Sequence, residues 1–325
     1  MATLAVPETI PSASEDAEQI WKACKGWGTD ETAIITILAH RDATQRKIIR
    51  LAFEEQYKEN LILRLESELS GDLERAVYLW IFDPVEREAI IANIAVKKNI
   101  DYQAIIEIAC VNSPKELLAV KEEYHARYKR SLEEDIAVHT VGDFRQACTS
   151  ELWHIYTLAL LVSLVSTYRY DGDETDTGVV RLEAKTLHDA IKSQTFNHSE
   201  VIRILSTRSK AQLCATFNYY KDEYGIPITK ALTSESPNEF ALALRMAIRC
   251  IVSPQKYFAK VLENAVGKAG TDEDALTRVI VMHAEKDLKV IKEIFHKRTN
   301  ATLKHAVGTE TCGHYNSFLL ALVGN

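Results

Sequence analysis

Proline and glycine are scarce, at 7 and 12 of 325 residues. So few turn-formers leave little room for a fold of many short strands and favour long helices. Disulfide patterning is missing as well. The six cysteines, Cys24, Cys110, Cys148, Cys214, Cys250 and Cys312, are scattered without a Cys-x-x-Cys pair. Their simplest reading is reduced thiols in a cytosolic protein. Positive charge is in deficit: the net charge of −7 is the opposite of a nucleic-acid footprint, while leaving room for anionic membranes if metal ions bridge the like charges. Long apolar runs are absent too. Leu152 to Val165 is a 14-residue stretch free of Asp, Glu, Lys and Arg, short of the roughly 18 that suggest a membrane span. The first ten residues carry neither the basic nor the apolar block of a secretory signal, and none is expected.

What is present is ordinary globular material, 46% hydrophobic and 26% charged, enough for one domain or for several smaller repeated units. A tail with Pro7 and Pro11 gives way at Ser14 to helical spacing. Apolar stripes follow at Ile34, Ile35, Leu38, then Ile48, Ile49, Ala52, Phe53, then Leu61, Leu65, Leu69, then Ala76, Val77, Leu79, Trp80, until Asp83-Pro84 stops the run. That is about five short helices in about 70 residues. The block returns 71 residues on, where Tyr57, Leu61 and Gly71-Asp72 become Tyr128, Leu132 and Gly142-Asp143. It returns at 167, where Ile37-Leu38, Arg41 and Glu68 become Ile204-Leu205, Arg208 and Glu235. At 242, Phe53 and Glu68 become Phe295 and Glu310. Such offsets mark helical units whose apolar faces need neighbours to cover them. They divide the chain into a tail (1–13), repeats at 14–82, 83–169, 180–252 and 253–325, and an acidic linker at 170–179. The linker superficially resembles an EF-hand loop, but Asp176 and Leu182 stand where that loop needs Gly and Glu, so it is read as solvated chain.

The second repeat carries about a dozen extra residues around 147–159. They predict either a last helix lengthened by about 20 Å at 1.5 Å per residue or a separate helical piece. Their distance in sequence from the loops described next predicts that lipid binding does not need them.

The most informative stretch is Lys25-Gly26-Trp27-Gly28-Thr29-Asp30-Glu31, a glycine loop running into a helix. Its echo is Gly267-Lys268-Ala269-Gly270-Thr271-Asp272-Glu273. Forty-two residues separate Gly26 from Glu68, and forty-two separate Lys268 from Glu310. A loop that bares carbonyls, with one carboxylate at a fixed long spacing, suits a hard cation such as calcium, which takes six to eight oxygens. The plainer reading is a turn with Thr29 as helix N-cap. The repeated spacing favours calcium. Trp27, between two glycines at the loop tip, suits insertion at a membrane interface.

These features together resemble the annexins over residues 14–325, and Gly26-Trp27-Gly28-Thr29 with Val201-Ile202-Arg203-Ile204-Leu205 is similar to plant annexins in particular. The resemblance implies an all-α chain of four five-helix repeats arranged as a curved disc, with calcium loops on a membrane-facing side. It implies calcium ligands at the carbonyls of Cys24, Gly26 and Gly28 with the Glu68 carboxylate, and at the carbonyls of Val266, Lys268 and Gly270 with Glu310. Lys268 departs from the motif's first glycine and stiffens the backbone, so the first loop is favoured over the fourth. In the second repeat Lys97, Lys98 and Asn99 fill the loop positions and His139 the acid position, which argues against calcium. In the third, Ser193 and Thr195 replace the glycines while Glu235 remains, predicting a weak or absent site.

The implied function is calcium-dependent docking of a cytoplasmic protein on acidic phospholipid membranes. The resemblance also raises other activities. Ile202-Arg203-Ile204 is similar to a segment proposed for F-actin binding, but two of its residues fall on core positions. His40 stands where a haem-linked peroxidase has been proposed, without a second ligand or partner acid. Cys110 and Cys250 match a proposed redox pair, although Ile106 departs from its methionine. A nucleotide phosphohydrolase finds no P-loop: Ala269 follows Lys268 and Leu262 stands at the first glycine position. An ion-conducting form would need an assembly that the sequence does not disclose, and the oligomeric state is likewise unread.

Overall fold

The computed structural model describes residues 1–26, 28–97, 99–139, 149–193, 198–234, 238–267 and 270–324, with backbone alone at 149–152, 198 and 234. Among these the chain forms twenty α-helices and no strand, in four sets of five. The first set is α1 (Ala13–Ala23), α2 (Glu31–Leu38), α3 (Ala43–Tyr57), α4 (Leu61–Glu68) and α5 (Gly71–Ile81). The second is α6 (Pro84–Lys97), α7 (Tyr102–Val111), α8 (Pro114–Tyr128), α9 (Leu132–Val138) and α10 (Thr149–Ser166). The third is α11 (Thr177–Ser193), α12 (His198–Thr207), α13 (Lys210–Tyr224), α14 (Ile228–Ser234) and α15 (Glu239–Val252). The fourth is α16 (Pro254–Val266), α17 (Glu273–His283), α18 (Leu288–Thr299), α19 (Leu303–Glu310) and α20 (Gly313–Val323). No described helix is long and apolar enough to cross a membrane.

The backbone repeats as the side chains do. The third helix of every set ends on a left-handed residue: Lys58 (φ 57°), Lys129 (58°), Gly225 (75°) and Asn300 (57°). They stand at the sequence offsets of 71, 167 and 242. Only one is glycine, so three repeats carry a conformation that costs other residues about 1 kcal/mol or more. Each cap N–H bonds the carbonyl four residues back, which ends one helix and turns the chain toward the next. Asn60, Ser131 and Thr302 then cap that next helix with their side chains.

The chain divides into two compact units, one of Met1–Arg87 with Gln255–Asn325 and one of Glu88–Pro254. In the first, the indole of Trp80 is fully buried and donates to the Leu38 carbonyl at 2.7 Å. The Arg46 guanidinium lies 3.8 Å over its ring and that of Arg87 5.1 Å from it. Glu285 answers both cations, at 2.9 Å from Arg46 and 3.5 Å from Arg87. The N-terminal tail is tied down in this unit. Thr3 and Leu4 donate to the Ala284 carbonyl, and the Thr3 hydroxyl to Leu322. In the second unit the acidic stretch is non-helical over residues 167–176, and Asp176 caps α11 through the N–H groups of Gly178 and Val179.

Candidate functional site

The loop between α1 and α2 is closed by a bond from the Asp30 N–H to the Ala23 carbonyl at 2.9 Å. The loop between α16 and α17 is closed identically, from Asp272 to Ala265 at 3.0 Å. Within the first, Gly26 and Gly28 sit at φ 124° and 96°, and Gly270 repeats the second of these at 111°. Those are angles that a side chain resists, and open space lies where each Cβ would stand. The glycines therefore serve backbone direction and not close approach. Trp27, Lys268 and Ala269 lie outside the described residues.

Thr29 is not the N-cap. That role belongs to Asp30, whose carboxylate accepts from the Ala33 N–H, just as Asp101 and Asp272 cap α7 and α17. The capping reading fails because Asp accepts better than Thr and stands one residue nearer the helix. The Thr29 hydroxyl instead donates to Oε2 of Glu68 at 2.5 Å and lies 3.4 Å from the Glu68 carbonyl. Thr271 makes the same pair of contacts with Glu310, at 3.4 and 3.1 Å. So the structure joins Glu68 to the Gly26–Gly28 loop, and Glu310 to the loop holding Gly270, each through a threonine that spacing arguments passed over.

At Cys24 the carbonyl is the group that meets a polar partner, and the thiol is buried. Burial, aided by the Glu68 charge, pushes the thiol up to about 11. The carbonyl accepts from Nη2 of Arg64 at 2.5 Å, and the same nitrogen lies 3.2 Å from Oε1 of Glu68. Arg64 also escaped the sequence reading. The signal was its place four residues before Glu68 on α4, one turn away on the same face.

The oxygens gathered at the first loop, the Cys24 carbonyl and the Glu68 carboxylate among them, are hard donors. That set fits calcium and does not fit metals that seek nitrogen or sulfur. Among the described residues no cluster of three or more His, Cys, Asp or Glu side chains suited to a metal occurs. Glu310 borders a cavity of about 320 Å³ that it shares with Glu31, Asp72 and Glu273, a concentration of negative charge that draws cations.

The second repeat departs from simple register. Asp101 closes its loop onto Ala95, one residue nearer than in the first and fourth. Counted from that bond, the counterpart of Cys24 is Val96, and the loop holds one residue fewer than the constant offset suggested. His139, at the acid position, donates from Nε2 to the Val96 carbonyl at 2.6 Å. Lys98 lies outside the described residues, as do Thr195 and Glu235 of the third repeat.

The remaining candidates lie elsewhere. His40 follows the far end of α2 from the loop, with Nδ1 3.0 Å from the Thr36 carbonyl. Ile202 and Ile204 are buried, while Arg203 pairs with Glu200 and Glu183. Cys110 and Cys250 are buried on α7 and α15. Burial pushes the first thiol up to about 11 and the second well above its ordinary value, conditions that disfavour a reactive thiolate.

The annexin family model matches residues 15–80, 88–150, 182–246 and 257–322. The chain is 55% identical to annexin-like protein RJ4 of Fragaria ananassa, covering 100% of this chain and 99% of that one. It is 48% identical to annexin D7 of Arabidopsis thaliana over the same shares. Among solved structures, a point mutant of annexin A8 with an intact N-terminus superposes with a TM-score of 0.89 at 31% identity, covering 100% of this chain and 98% of that one. A calcium-bound annexin (Sm)1 does so at 0.78 and 27%, covering 100% and 93%. Calcium-dependent phospholipid binding is the general property of this fold family. Four matched segments, twenty helices in sets of five and near-complete coverage of plant relatives lead to one assignment: the chain belongs to the annexin family, in its plant-type branch.

Proposed function

We propose that the first and fourth loops carry calcium-dependent docking on acidic phospholipid membranes by a cytoplasmic, peripheral protein. The residues that would hold calcium are the Cys24, Gly26 and Gly28 carbonyls with Glu68, and the Val266, Lys268 and Gly270 carbonyls with Glu310. When bound, calcium would bridge these oxygens to lipid phosphate. The observation that carries the reading is the duplicated latch, with Thr29 on Glu68 and Thr271 on Glu310, beside loops closed by the same backbone bond. Two loops built alike 242 residues apart share a task that neither core packing nor helix capping requires.

The chain's own residues set the terms. Each threonine orients a carboxylate toward its loop. Gly26 takes φ 124° at no side-chain cost, a freedom that the lysine standing at this register of the fourth repeat does not share. The first loop is thus the better prepared. Trp27, between the two glycines in sequence, would supply an indole suited to the membrane interface.

Liposome co-sedimentation across a calcium titration tests this. Glu68→Gln should raise the calcium midpoint by roughly ten-fold, equivalent to about 1.4 kcal/mol, and Glu310→Gln by less. The double variant should lose nearly all calcium-dependent binding. In protein labelled with 5-fluorotryptophan, the ¹⁹F resonance of Trp27 should move with calcium and liposomes together and not with calcium alone. A double variant that sediments at the wild-type midpoint would show that these are not the ligands.

A further inference from the structure

We infer that Arg64 is a built-in rival of calcium at the first loop: its guanidinium already bridges two of the oxygens assigned to the ion, the Cys24 carbonyl and the Glu68 carboxylate, so calcium must displace it. The inference rests on the reading of the loop given above.

The geometry is specific to this repeat. One nitrogen, Nη2, serves both the Cys24 carbonyl at 2.5 Å and Oε1 of Glu68 at 3.2 Å. Oε2 of Glu68 is taken by Thr29. A cation drawn to this carbonyl and this carboxylate meets a resident positive charge on the same two groups. Arg64 is partly enclosed, with 28% of its side chain exposed, and its guanidinium carbon lies 5.6 Å from the Trp21 ring. Trp21 in turn stacks on Tyr57 at 4.4 Å. The guanidinium is therefore positioned by an aromatic wall and does not sweep freely through solvent.

The fourth repeat offers the contrast. Ala306 stands at the register of Arg64, and its methyl group carries no charge to set against a cation. The second repeat offers the limiting case, where His139 bonds the equivalent Val96 carbonyl and stands in place of the carboxylate. These three loops thus range from an aliphatic neighbour, through a displaceable guanidinium, to an imidazole at the acid position. An arginine is suited to the middle role, because its charge is permanent while its hold on one carbonyl and one partly exposed carboxylate is modest.

Competition has a reciprocal consequence. Arg64 weakens calcium at the first loop, and calcium at the first loop loosens Arg64 from the face of Trp21. Both directions are measurable. The test uses the full chain with Glu310→Gln, so that the first loop dominates the response to calcium chloride. In that background Arg64→Ala should lower the calcium midpoint for sedimentation with phosphatidylserine vesicles by roughly three- to ten-fold, the span that one exposed ion pair and one charge-assisted hydrogen bond allow. Arg64→Gln should do the same, guarding against a packing defect of the alanine, and Arg64→Lys should fall between, keeping the charge and losing the fork. The ¹⁹F resonance of fluorinated Trp21 should shift on adding calcium to the parent and stay still in Arg64→Ala.

A midpoint unchanged or raised in both neutral variants would overturn the inference, and so would a Trp21 resonance that ignores calcium in the parent. The underlying site is judged separately by Glu68→Gln in the same background. If that change leaves the midpoint untouched, the site assignment and the rivalry fall together. If Glu68 matters and Arg64 does not, only the rivalry falls.

Discussion

At the scale of single residues, the acid positions were legible because spacing repeats: forty-two residues from loop to acid, twice. Thr29 was legible only as a letter next to a helix. Sequence places it beside Asp30 and cannot say which of the two caps α2. The structure gives the cap to Asp30 and the carboxylate of Glu68 to Thr29. Thr29→Val keeps the shape and removes the hydroxyl, leaving Glu68 to Arg64 alone. We expect the calcium midpoint for liposome binding to rise about three-fold, the worth of one lost hydrogen bond to a charged group after solvent takes its share. Thr29→Ser should restore it. A midpoint unmoved by valine would mean that the hydroxyl does not orient the carboxylate.

At the scale of elements, the helix count and the repeat offsets followed from apolar periodicity, whereas the excess residues of the second repeat did not declare their place. Counting showed a surplus around 147–159. Ala147 and Cys148 lie outside the described residues. From Thr149 the chain is one continuous helix, α10, of 18 residues against 11 in α5 and α20. That is seven residues more, about 10 Å at 1.5 Å per residue, and residues 140–148 before it lie outside the described ones. The surplus is not a detachable ornament, because Thr157 and Leu158 within it are fully buried along with Leu160 and Leu161. Periodicity could not reveal this, since α10 is apolar around most of its circumference and gives no stripe to orient. Leu161→Ala should lower the unfolding free energy by about 2–5 kcal/mol, read from denaturant melts, with the calcium midpoint for liposomes unchanged. A loss under about 1 kcal/mol would place Leu161 at a surface that the fold does not need.

At the scale of the whole molecule, stability in the first unit turns on a carboxylate that belongs to neither loop. Burial pushes the Glu285 carboxyl up, but the hydrogen bond and charge of Arg46, with Arg87 and the Ala43 N–H, outweigh it and hold it below the usual carboxylate value. A depressed carboxylate contributes stability that is fully present above its unfolded value of about 4.5 and is lost as pH falls through the folded one. Thermal melts should therefore decline as pH drops below about 4.5, the ordinary carboxylate range. Glu285→Gln should cost about 3–5 kcal/mol at pH 7, because it leaves two buried guanidiniums with carbonyl partners but without this counter-charge, and its melts should fall less steeply in acid. Equal acid slopes in the two proteins would show that Glu285 does not carry the transition.

The sequence by itself determined the class of fold, the fourfold repetition and the pairing of each strong loop with one distant acid. These reside in periodicity and spacing, which local chemistry writes directly into the chain. Only the tertiary structure decided what stands on the donor groups: Thr29 on one oxygen of Glu68, Arg64 between the other and the Cys24 carbonyl, and His139 on Val96 after a loop one residue shorter. The reason is physical. A hydrogen bond depends on where two side chains point after their helices have packed, and a shortened loop hides inside a constant offset when flanking helices keep their register.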